Sequence, residues 1–447
     1  MTSPRFVCLS LGSNLGNRFD NFRKAYLNLK ELGIQDLQSS VILETKALLL
    51  PNSPETWDLP FFNSVIIGKT SLSPSELLKK LKNIENLLGR DLHAPAWSPR
   101  TLDIDILLYG DGDYQDKDLT IPHSGLLKRP FLISLIAALC PDRQLYQPNS
   151  PYHLKTFGEI AHLCPCPREI ILNAFSPTTF CMGIVNVTDN SMSDGGEYLD
   201  PNKAVEHAEK LFSQGASIID FGAQSTNPKV KQFLSVEEEW KRLEPVLQLL
   251  SCRWSGCAQY PYISIDTFYP EIAIRACNIY PIHWINDVSG GSEKMIEVAK
   301  ELGTCLVVNH SCSLPPCPEA TLDFTSSPVD QLLDWGRRKI EFCDHLGLDC
   351  SQIIFDPGIG FGTTSIQAMY ILQKMQMFRE LGCPLLVGHS RKSCFSLLGK
   401  YDPKDRDWET AAISILLQQQ RVDYLRVHDV AHNQRALSAS AWCGQSV

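Results

Sequence analysis

The chain has 447 residues, more than a single hydrophobic core ordinarily serves, so its length predicts two domains. Hydrophobic residues make up 44% and charged residues 20%, a composition that is typical of a globular protein and excludes a disordered one. The net charge of −9 argues against a general nucleic-acid or anionic-membrane binder, so anionic substrates must be met by local arginines and lysines.

Targeting and redox signals point to a protein without a membrane partner. No stretch approaches 18 consecutive apolar residues, and the first ten residues lack the apolar segment and cleavage site of a secretion signal. Sixteen cysteines are scattered along the chain without the paired spacing of a zinc site. We therefore expect a cytoplasmic protein whose thiols are reduced.

The first part of the chain alternates between strand and helix patterns. A strand at residues 6–10 runs into the glycine-containing turn at residues 11–16, which lacks the Gly-Lys-Ser/Thr ending of a Walker A loop. A helix follows and is predicted to end at Gly33. A second strand at residues 61–67 precedes a helix that opens with a capping box at Ser73. The absence of a uniform βαβ period favours a small α+β sandwich.

Two acidic residues form the sharpest local signal in this part. Strict alternation over residues 102–106 predicts a strand that places Asp103 and Asp105 on one face, about 7 Å apart. Such carboxylates repel each other unless a cation lies nearby, and Mg²⁺ suits them because substrate phosphates complete its coordination. A solvated edge strand is the alternative. The flanking Trp97 and the phosphate-binding geometry of Arg100 favour a metal and phosphate site.

Several motifs follow one another in the first 160 residues: Leu11-Gly-Ser-Asn-Leu-Gly16, Phe62-Asn63, Glu85 with Gly89-Arg90, Trp97-x-Pro-Arg-Thr-Leu-Asp-Ile-Asp105 and Pro122-His123. Together they resemble the 6-hydroxymethyl-7,8-dihydropterin pyrophosphokinase family. The resemblance implies a ferredoxin-like fold, ATP as co-substrate, and transfer of a diphosphate group to the pterin hydroxymethyl oxygen with release of AMP.

The same resemblance implies roles for individual residues. Asp103 and Asp105 would hold two Mg²⁺ ions on the ATP phosphates, so that catalysis is positioning and charge neutralisation. Arg90 and Arg100 count as catalytic together with these two acids. The implied ATP ligands are Arg90, Arg100, His123 and Arg129. The implied pterin ligands are Thr45, Asn63, Trp97 and Phe131.

A proline-rich passage separates two regions of different pattern. Prolines cluster at residues 148–151 and 164–167, and they continue neither a helix nor a central strand. We therefore predict a domain boundary near residue 165, with a pyrophosphokinase domain and its linker at 1–165 and a second domain at 166–447.

The second region is regular. Eight short apolar segments each end in polar residues and are followed by a helix pattern, which predicts a TIM (β/α)8 barrel. An open doubly wound sheet is the alternative, but no Gly-x-Gly-x-x-Gly turn supports it. The predicted strands are residues 180–186, 217–221, 262–266, 283–287, 304–309, 353–356, 384–388 and 423–428.

The ends of these strands carry ordered motifs: Met182-Gly-Ile-Val-Asn-Val-Thr188, Ile265-Asp-Thr267, Ile285-Asn-Asp-Val288, Phe355-Asp-Pro-Gly-Ile-Gly-Phe-Gly362, Leu386-Val-Gly-His-Ser-Arg-Lys-Ser393 and Leu425-Arg-Val-His-Asp429. Over residues 176–447 they resemble dihydropteroate synthase. The resemblance implies that the pterin diphosphate condenses with p-aminobenzoate to give 7,8-dihydropteroate and pyrophosphate. It also implies a homodimer formed through the barrel.

Residue roles follow from this second resemblance. Asp266 and Lys392 are implied as catalytic, and Asn186 as the ligand of one Mg²⁺ on the diphosphate. The implied pterin ligands are Asp266, Asn286, Asp356, Gly388 and Lys392. The implied diphosphate ligands are Asn186, Thr226, Ser390, Arg426 and His428. The implied p-aminobenzoate ligands are Ser225, Thr226, Phe361 and Ser393.

Five positions depart from the synthase pattern: Asn190, Met192, Gln224, Asn227 and Asn309. Four of them lie in two loops over the barrel mouth, so we expect them to affect p-aminobenzoate binding more than pterin binding. They motivate an alternative in which the barrel binds pterin without catalysis. A third option, methyl transfer from a reduced pterin, leaves the phosphate-binding Ser-Arg-Lys and Arg-x-His groups without a role.

Overall fold

The computed structural model describes residues 3–91, 93–95, 97–188, 199–224, 233–315, 317 and 319–443. The chain forms two compact units. One comprises the residues up to Pro177 together with those from Ser438 onward, and the other runs from Thr178 to Leu437.

The first unit is built on an antiparallel sheet. Its helices are α1 (Arg18–Glu31), α2 (Pro74–Leu87), α3 (Pro130–Leu139) and α4 (Phe157–Leu163). Its strands are β1 (Arg5–Ser13), β2 (Gln35–Ser39), β3 (Ile42–Thr45), β4 (Phe61–Thr70), β5 (Asp103–Tyr109), β6 (Tyr114–Gln115), β7 (Thr120–Ile121) and β8 (Ile171–Phe175).

The strand order of this sheet is β5-β1-β4-β3-β8, with β2 paired to β4 and a separate β6-β7 hairpin. Taken along the chain, β1, α1, β3, β4, α2 and β5 give the βαββαβ sequence of a ferredoxin-like fold. The predicted ferredoxin-like α+β sandwich is confirmed.

Local sequence signals explain the elements that frame the site. The side chain of Ser73 accepts the backbone N–H of Glu76, and the Glu76 carboxylate accepts the N–H of Ser73, which completes the predicted capping box. In β5, Ile104 and Ile106 are buried as the alternation predicts. Asp103 and Asp105 therefore share the opposite face of the strand.

The boundary between the two units differs from the one predicted near residue 165. Sequence reasoning did not predict β8, which pairs antiparallel with β3 and belongs to the first unit. Phe175 at its end is buried against Phe19 and Phe62, with ring centroids 5.3 and 5.1 Å away. The compact units consequently divide after Pro177.

The second unit carries eight parallel strands, which alternate with helices over most of its length. The strands are β9 (Phe180–Asn186), β10 (Ile218–Gly222), β11 (Tyr262–Asp266), β12 (Trp284–Asp287), β13 (Cys305–Asn309), β14 (Ile353–Asp356), β15 (Leu386–Val387) and β16 (Tyr424–Val427). The helices are α5 (Pro201–Ser213), α6 (Val236–Trp254), α7 (Pro270–Cys277), α8 (Glu293–Leu302), α9 (Pro328–His345), α10 (Ser365–Gln373), α11 (Asp407–Gln419) and α12 (Val430–Cys443), the last of which ends within the residues counted with the first unit.

These strands follow the order β14-β13-β12-β11-β10-β9-β16-β15. A parallel bridge between Phe355 and Leu385 joins the two ends of this path, so the sheet closes on itself. The predicted (β/α)8 barrel is confirmed, and all eight predicted strands overlap observed ones. No helix in the described part of the chain combines the length and apolar character that a membrane span requires.

Gly336 tests how tightly the barrel helices pack. Glycine inside a helix ordinarily costs about 1 kcal/mol relative to alanine. A Cβ at Gly336 in α9, however, would lie 2.9 Å from Leu381 Cδ1 and 3.0 Å from Phe355 Cε2. We therefore expect Gly336→Ala to destabilise the barrel by about 1–3 kcal/mol, measured from its thermal unfolding transition. Gly158→Ala in α4 is the control, because its Cβ would meet nothing closer than 3.4 Å. An unchanged or higher barrel transition in the Gly336 variant would contradict this packing.

Candidate active sites

A cavity of about 370 Å³ lies in the first unit among residues of β1, β3, β4 and β5. All ten kinase-site residues that the resemblance implied line this one cavity: Thr45, Asn63, Arg90, Trp97, Arg100, Asp103, Asp105, His123, Arg129 and Phe131. Further residues that line the cavity, outside the implied ligand set, are Ser10, Leu11, Gly12, Lys46, Leu48, Leu49, Phe61 and Lys82.

Strand register explains why the acids and the amide meet. Strand β1 lies between β5 and β4. On one side Gly12 and Ser10 of β1 pair with Asp103 and Asp105 of β5, and on the other side Gly12 pairs with Asn63 of β4. A Cβ at Gly12 would contact the Asp103 Cβ at 3.7 Å. The glycine therefore keeps the cavity floor open between the strands.

Each acid of β5 faces its own cations. Arg90 Nη1 contacts one oxygen of Asp103, and Arg100 Nη1 contacts the other at 3.2 Å. Burial acts to raise the pKa of the Asp103 carboxyl, but Arg90 and Arg100 overcome it and hold that pKa below its usual value. Asp105 faces Arg129 Nη1 at 3.5 Å and His123 Nε2 at 4.0 Å.

Glu85 organises this side of the cavity, although sequence reasoning gave it no site role. Its side chain is fully buried, and one oxygen accepts the backbone N–H of Ile104 at 2.7 Å, between the two acids. The same oxygen receives Lys82 Nζ at 2.8 Å, and the other lies 2.7 Å from Arg90 Nη1. Burial raises the pKa of the Glu85 carboxyl, which both cations oppose. The available sequence signal was a glutamate four residues before the Gly89-Arg90 pair.

The predicted pterin residues occupy another wall. Asn63 donates from Nδ2 to Thr45 Oγ1 at 3.0 Å, which leaves its carboxamide oxygen available. Phe131 lies in the first turn of α3, and Trp97 is 42% exposed. Two aromatic faces and an amide suit a flat heterocycle with hydrogen-bonding edges.

The donor set also fits a divalent metal. The Asp103 and Asp105 side chains are 20% and 22% exposed, face the same cavity, and offer hard carboxylate oxygens. Mg²⁺ uses one or two carboxylates and completes its shell with phosphates and water. The arginines around both acids are the groups that phosphates would engage.

The second site forms at the carboxyl ends of the barrel strands. Asn186, Asp266 and Asp356 end β9, β11 and β14, Asn286 lies in β12, and Arg426 lies in β16. Gly388, Ser390 and Lys392 follow β15, and His428 follows β16. The barrel therefore brings the polar residues of six predicted strand ends to one rim, as parallel strands require.

Arg426 links two acids across the barrel mouth. Its Nε donates to Asp220 Oδ2 at 2.6 Å and its Nη2 donates to Asp266 Oδ2 at 2.7 Å. Asn286 Nδ2 donates to the same Asp220 oxygen at 3.1 Å. Burial raises the pKa of Asp266 to about 7, and Arg426 opposes that shift. Sequence reasoning missed Asp220, although a carboxylate inside an apolar strand run was the available signal.

Asp356 and Lys392 are the second charged group. Gly358 donates its backbone N–H to Asp356 Oδ1 at 2.8 Å, and a Cβ at Gly388 would lie 3.8 Å from the other oxygen. Lys392 Nζ lies 4.4 Å from the centre of the Phe361 ring. Burial raises the pKa of Asp356 to about 6 and lowers that of Lys392 to about 8.

The remaining predicted residues divide into three groups. Ser390 Oγ and His428 Nδ1 lie 2.9 Å apart, and the backbone N–H of His428 donates to Ser390 Oγ at 3.2 Å. Phe361 is buried beside Lys392, and Ser393 is exposed at the start of a short 3-10 turn. Ser225 and Thr226 lie outside the described residues.

Two of the five departures from the synthase pattern have described surroundings. Gln224 is buried and its Oε1 accepts the backbone N–H of Leu234 at 2.8 Å. Asn309 is buried, lies opposite Asp356 in the strand register and donates to the His310 carbonyl at 3.1 Å. Asn190, Met192 and Asn227 lie outside the described residues.

Family models match both units. Residues 8–141 match the 7,8-dihydro-6-hydroxymethylpterin-pyrophosphokinase family, and residues 182–428 match the pterin binding enzyme family. A folate synthesis bifunctional protein from Chlamydia caviae is 68% identical over 447 residues, covering 100% of both chains. Another from Arabidopsis thaliana is 31% identical over 465 residues, covering 96% of this chain and 93% of its own.

Solved structures resemble the barrel. Yersinia pestis dihydropteroate synthase in a sulfonamide drug complex has a TM-score of 0.56 and 27% identity, covering 62% of this chain and 98% of that one. Anaplasma phagocytophilum dihydropteroate synthase with bound 6-hydroxymethylpterin-monophosphate has a TM-score of 0.53 and 32% identity, covering 59% and 98%. The chain therefore belongs to the bifunctional folate synthesis proteins, transferases in which a pyrophosphokinase and a dihydropteroate synthase catalyse two consecutive steps of folate synthesis.

Proposed function

We propose that the cavity of the first unit binds ATP and 6-hydroxymethyl-7,8-dihydropterin together. The observation that carries the proposal is that aromatic and amide groups share one cavity with two acids and six cationic or basic side chains. Asn63, Thr45, Trp97 and Phe131 would bind the pterin, and Arg90, Arg100, His123 and Arg129 would bind the nucleotide.

In this proposal the pterin hydroxyl oxygen attacks the β-phosphorus of ATP and loses its proton. The bond between the β-phosphorus and the oxygen that bridges it to the α-phosphorus breaks, which releases AMP. Two Mg²⁺ ions held by Asp103 and Asp105 would supply charge neutralisation on the phosphates. Arg90 and Arg100 would orient the phosphate chain, and Glu85 would keep Arg90 and the β5 backbone in place. Catalysis then needs alignment and charge compensation but no protein nucleophile.

The barrel mouth would bind the product of that reaction. Asp356 would accept the adjacent N–H donors of the dihydropterin, while Asp266 and Asn286 would hold its other ring groups and Gly388 would leave room for the ring. Ser390, Arg426 and His428 would bind the diphosphate, with Thr226, and Asn186 would hold one Mg²⁺ there. The bond from the pterin methylene carbon to the diphosphate oxygen breaks, and the amine of p-aminobenzoate forms the new bond and loses a proton.

Two groups would stabilise the charge that develops in this step. Asp266 is placed to face the positive charge that grows on the pterin as the carbon–oxygen bond breaks. Lys392 would donate to the pterin carbonyl or N5 side. The p-aminobenzoate would lie against Phe361 and Ser393 and the loop residues Ser225 and Thr226.

All sixteen cysteines are free thiols, which supports a reducing, cytoplasmic setting.

Asp103→Asn tests the separation of the two sites. The variant removes the charge of one proposed metal ligand, which Arg90 and Arg100 both contact, while Glu85 still pairs with Arg90. We expect AMP release from ATP and the pterin alcohol to fall on the order of a hundredfold or more, while condensation of supplied pterin diphosphate continues unchanged. Asp118→Asn, a change at an exposed acid of the same unit, is the control. Equal loss of both reactions would contradict two independent sites.

The pKa values predict the pH dependence of the barrel reaction. Asp266 and Asp356, with pKa values raised to about 7 and about 6, must both be ionised for their proposed roles, so kcat/KM falls as the pH drops through these values. Lys392, with a pKa lowered to about 8, must be protonated to donate, so kcat/KM also falls as the pH rises through that value. We expect a bell-shaped profile on supplied pterin diphosphate.

Lys392→Arg is the matched variant for the alkaline limb, because arginine stays protonated throughout this range. The limb near pH 8 should move upward or vanish, whereas Lys404→Arg in an exposed segment should leave it in place. An alkaline limb that is unmoved in Lys392→Arg would assign that titration to another group.

We also propose that the chain forms a homodimer through the barrel. Large apolar side chains stay exposed on α10, on the neighbouring 3-10 turn and on α11, the largest being Trp408 at 79% and Ile366 at 73%. Further exposed members of this face are Tyr370, Leu397, Leu398 and Tyr401. Exposed apolar patches of this kind are typical of protein interfaces.

Trp408→Glu tests the proposed dimer. A buried charge at the interface should raise the dimer dissociation constant by about tenfold or more, as measured by sedimentation equilibrium. Ile274→Glu is the control, because Ile274 is an exposed apolar residue of α7, a helix of the same unit that packs between α6 and α8. A monomeric wild-type chain, or equal weakening by both variants, would contradict the assignment.

A further inference from the structure

The strand β8 lies beyond the residues that match the pyrophosphokinase family, which end at residue 141. It nevertheless pairs with β3, the strand that carries Thr45 into the cavity. Glu44 pairs with Asn173, and Lys46 donates its backbone N–H to the Ile170 carbonyl at 3.0 Å. The main chain on both sides of Thr45 is therefore held by the segment that enters β8.

A series of side-chain contacts begins at β8. Asn173 Nδ2 donates to Glu44 Oε2 at 2.6 Å. The other Glu44 oxygen lies 2.9 Å from Arg18 Nη1, and the two side chains are only 11% and 10% exposed. A nearly buried ion pair holds its geometry only when its remaining lone pairs and protons are also satisfied. Asn173 satisfies the Glu44 oxygen that Arg18 does not reach.

Arg18 carries the contact on to the start of β4, the strand that pairs with β3. Its Nη1 donates to the Pro60 carbonyl at 2.9 Å, and its guanidinium lies 3.7 Å from the centre of the Phe62 ring. Pro60 and Phe62 flank Phe61, which lines the cavity. One polar chain thus joins the main chain beside Thr45 to the main chain beside Phe61.

These two segments hold the proposed pterin amide between them. Thr45 pairs with Phe61 across β3 and β4. Asn63 Nδ2 donates to Thr45 Oγ1 at 3.0 Å and to the Phe61 carbonyl at 3.3 Å. A shift of either segment would rotate the carboxamide oxygen that faces the pterin.

We propose that Asn173, acting through the Glu44–Arg18 ion pair, is a positioning residue of the pterin pocket, contributed by a strand outside the family match. The inference rests on the proposed pterin role of Asn63. Asn173 touches no substrate; it keeps Glu44 aligned, so that Thr45 and Phe61 present Asn63 in its binding orientation. On the nucleotide side of the cavity, Arg90 and Arg100 form their own ion pairs with Glu85 and Asp103, although Asn14 joins the Leu59 carbonyl to the main chain of Arg100.

The test compares Asn173→Ala and Asn173→Asp in the full-length protein. Loss of a hydrogen bond to a charged group should raise KM for the pterin alcohol on the order of three- to tenfold in the alanine variant. The aspartate variant keeps the shape but sets a carboxylate against Glu44, so its pterin KM should be higher still. KM for ATP and condensation of supplied pterin diphosphate should stay unchanged in both, which also shows that both units are folded.

Two further variants make the result decisive. Leu172→Ala alters the neighbouring, exposed residue of β8 and should leave both KM values at the wild-type level. Asn63→Ala should raise the pterin KM through the pocket itself. A wild-type pterin KM in both Asn173 variants, with a raised one in Asn63→Ala, would overturn the positioning role and leave the pocket standing. An equal rise in both KM values would also overturn it, and an unaffected Asn63→Ala would remove the pocket on which it rests.

Discussion

Both sites depend on carboxylates that are kept in place by arginine. In the first unit Arg90 is shared by Glu85 and Asp103, and in the barrel Arg426 is shared by Asp220 and Asp266. A buried carboxylate without such a partner would be protonated or would disrupt the packing around it. The arginine lets two acids occupy one small volume, of which one stays partly accessible, Asp103 in the first unit and Asp266 in the barrel.

Backbone geometry explains how far sequence reasoning reached. The period of two in β5 placed Asp103 and Asp105 on one face, and the strand ends of the barrel placed Asp266, Asp356 and Arg426 at one rim, because both rules depend only on backbone geometry. The ten kinase residues that the resemblance implied also line one cavity. Their roles were carried over from a resemblance and stay proposals.

What sequence reasoning missed are the groups that act through long-range partners. Glu85 belongs to a motif that carried the resemblance, but only its contact with the Ile104 N–H shows that it fixes the strand between the two acids. Asp220 reads as part of an apolar strand until Arg426 is seen 206 residues away in the chain. The strand β8 follows a proline-rich passage that predicted a boundary, and its partner β3 lies far upstream.

The two units place aspartate in different electrostatic surroundings, which shift its pKa in opposite directions. Asp103 is 20% exposed and flanked by two arginines, which holds its pKa low, so it stays anionic and is suited to a divalent cation and phosphates. Asp356 is 5% exposed with a backbone N–H as its nearest donor, and burial raises its pKa to about 6. Such a carboxylate gains most from neutral N–H donors, because these satisfy it without bringing another charge into the barrel. Burial acts to raise the pKa of both carboxyls, so it is the pair of arginines in contact with Asp103 that sets the two acids apart and suits them to the different roles proposed for them.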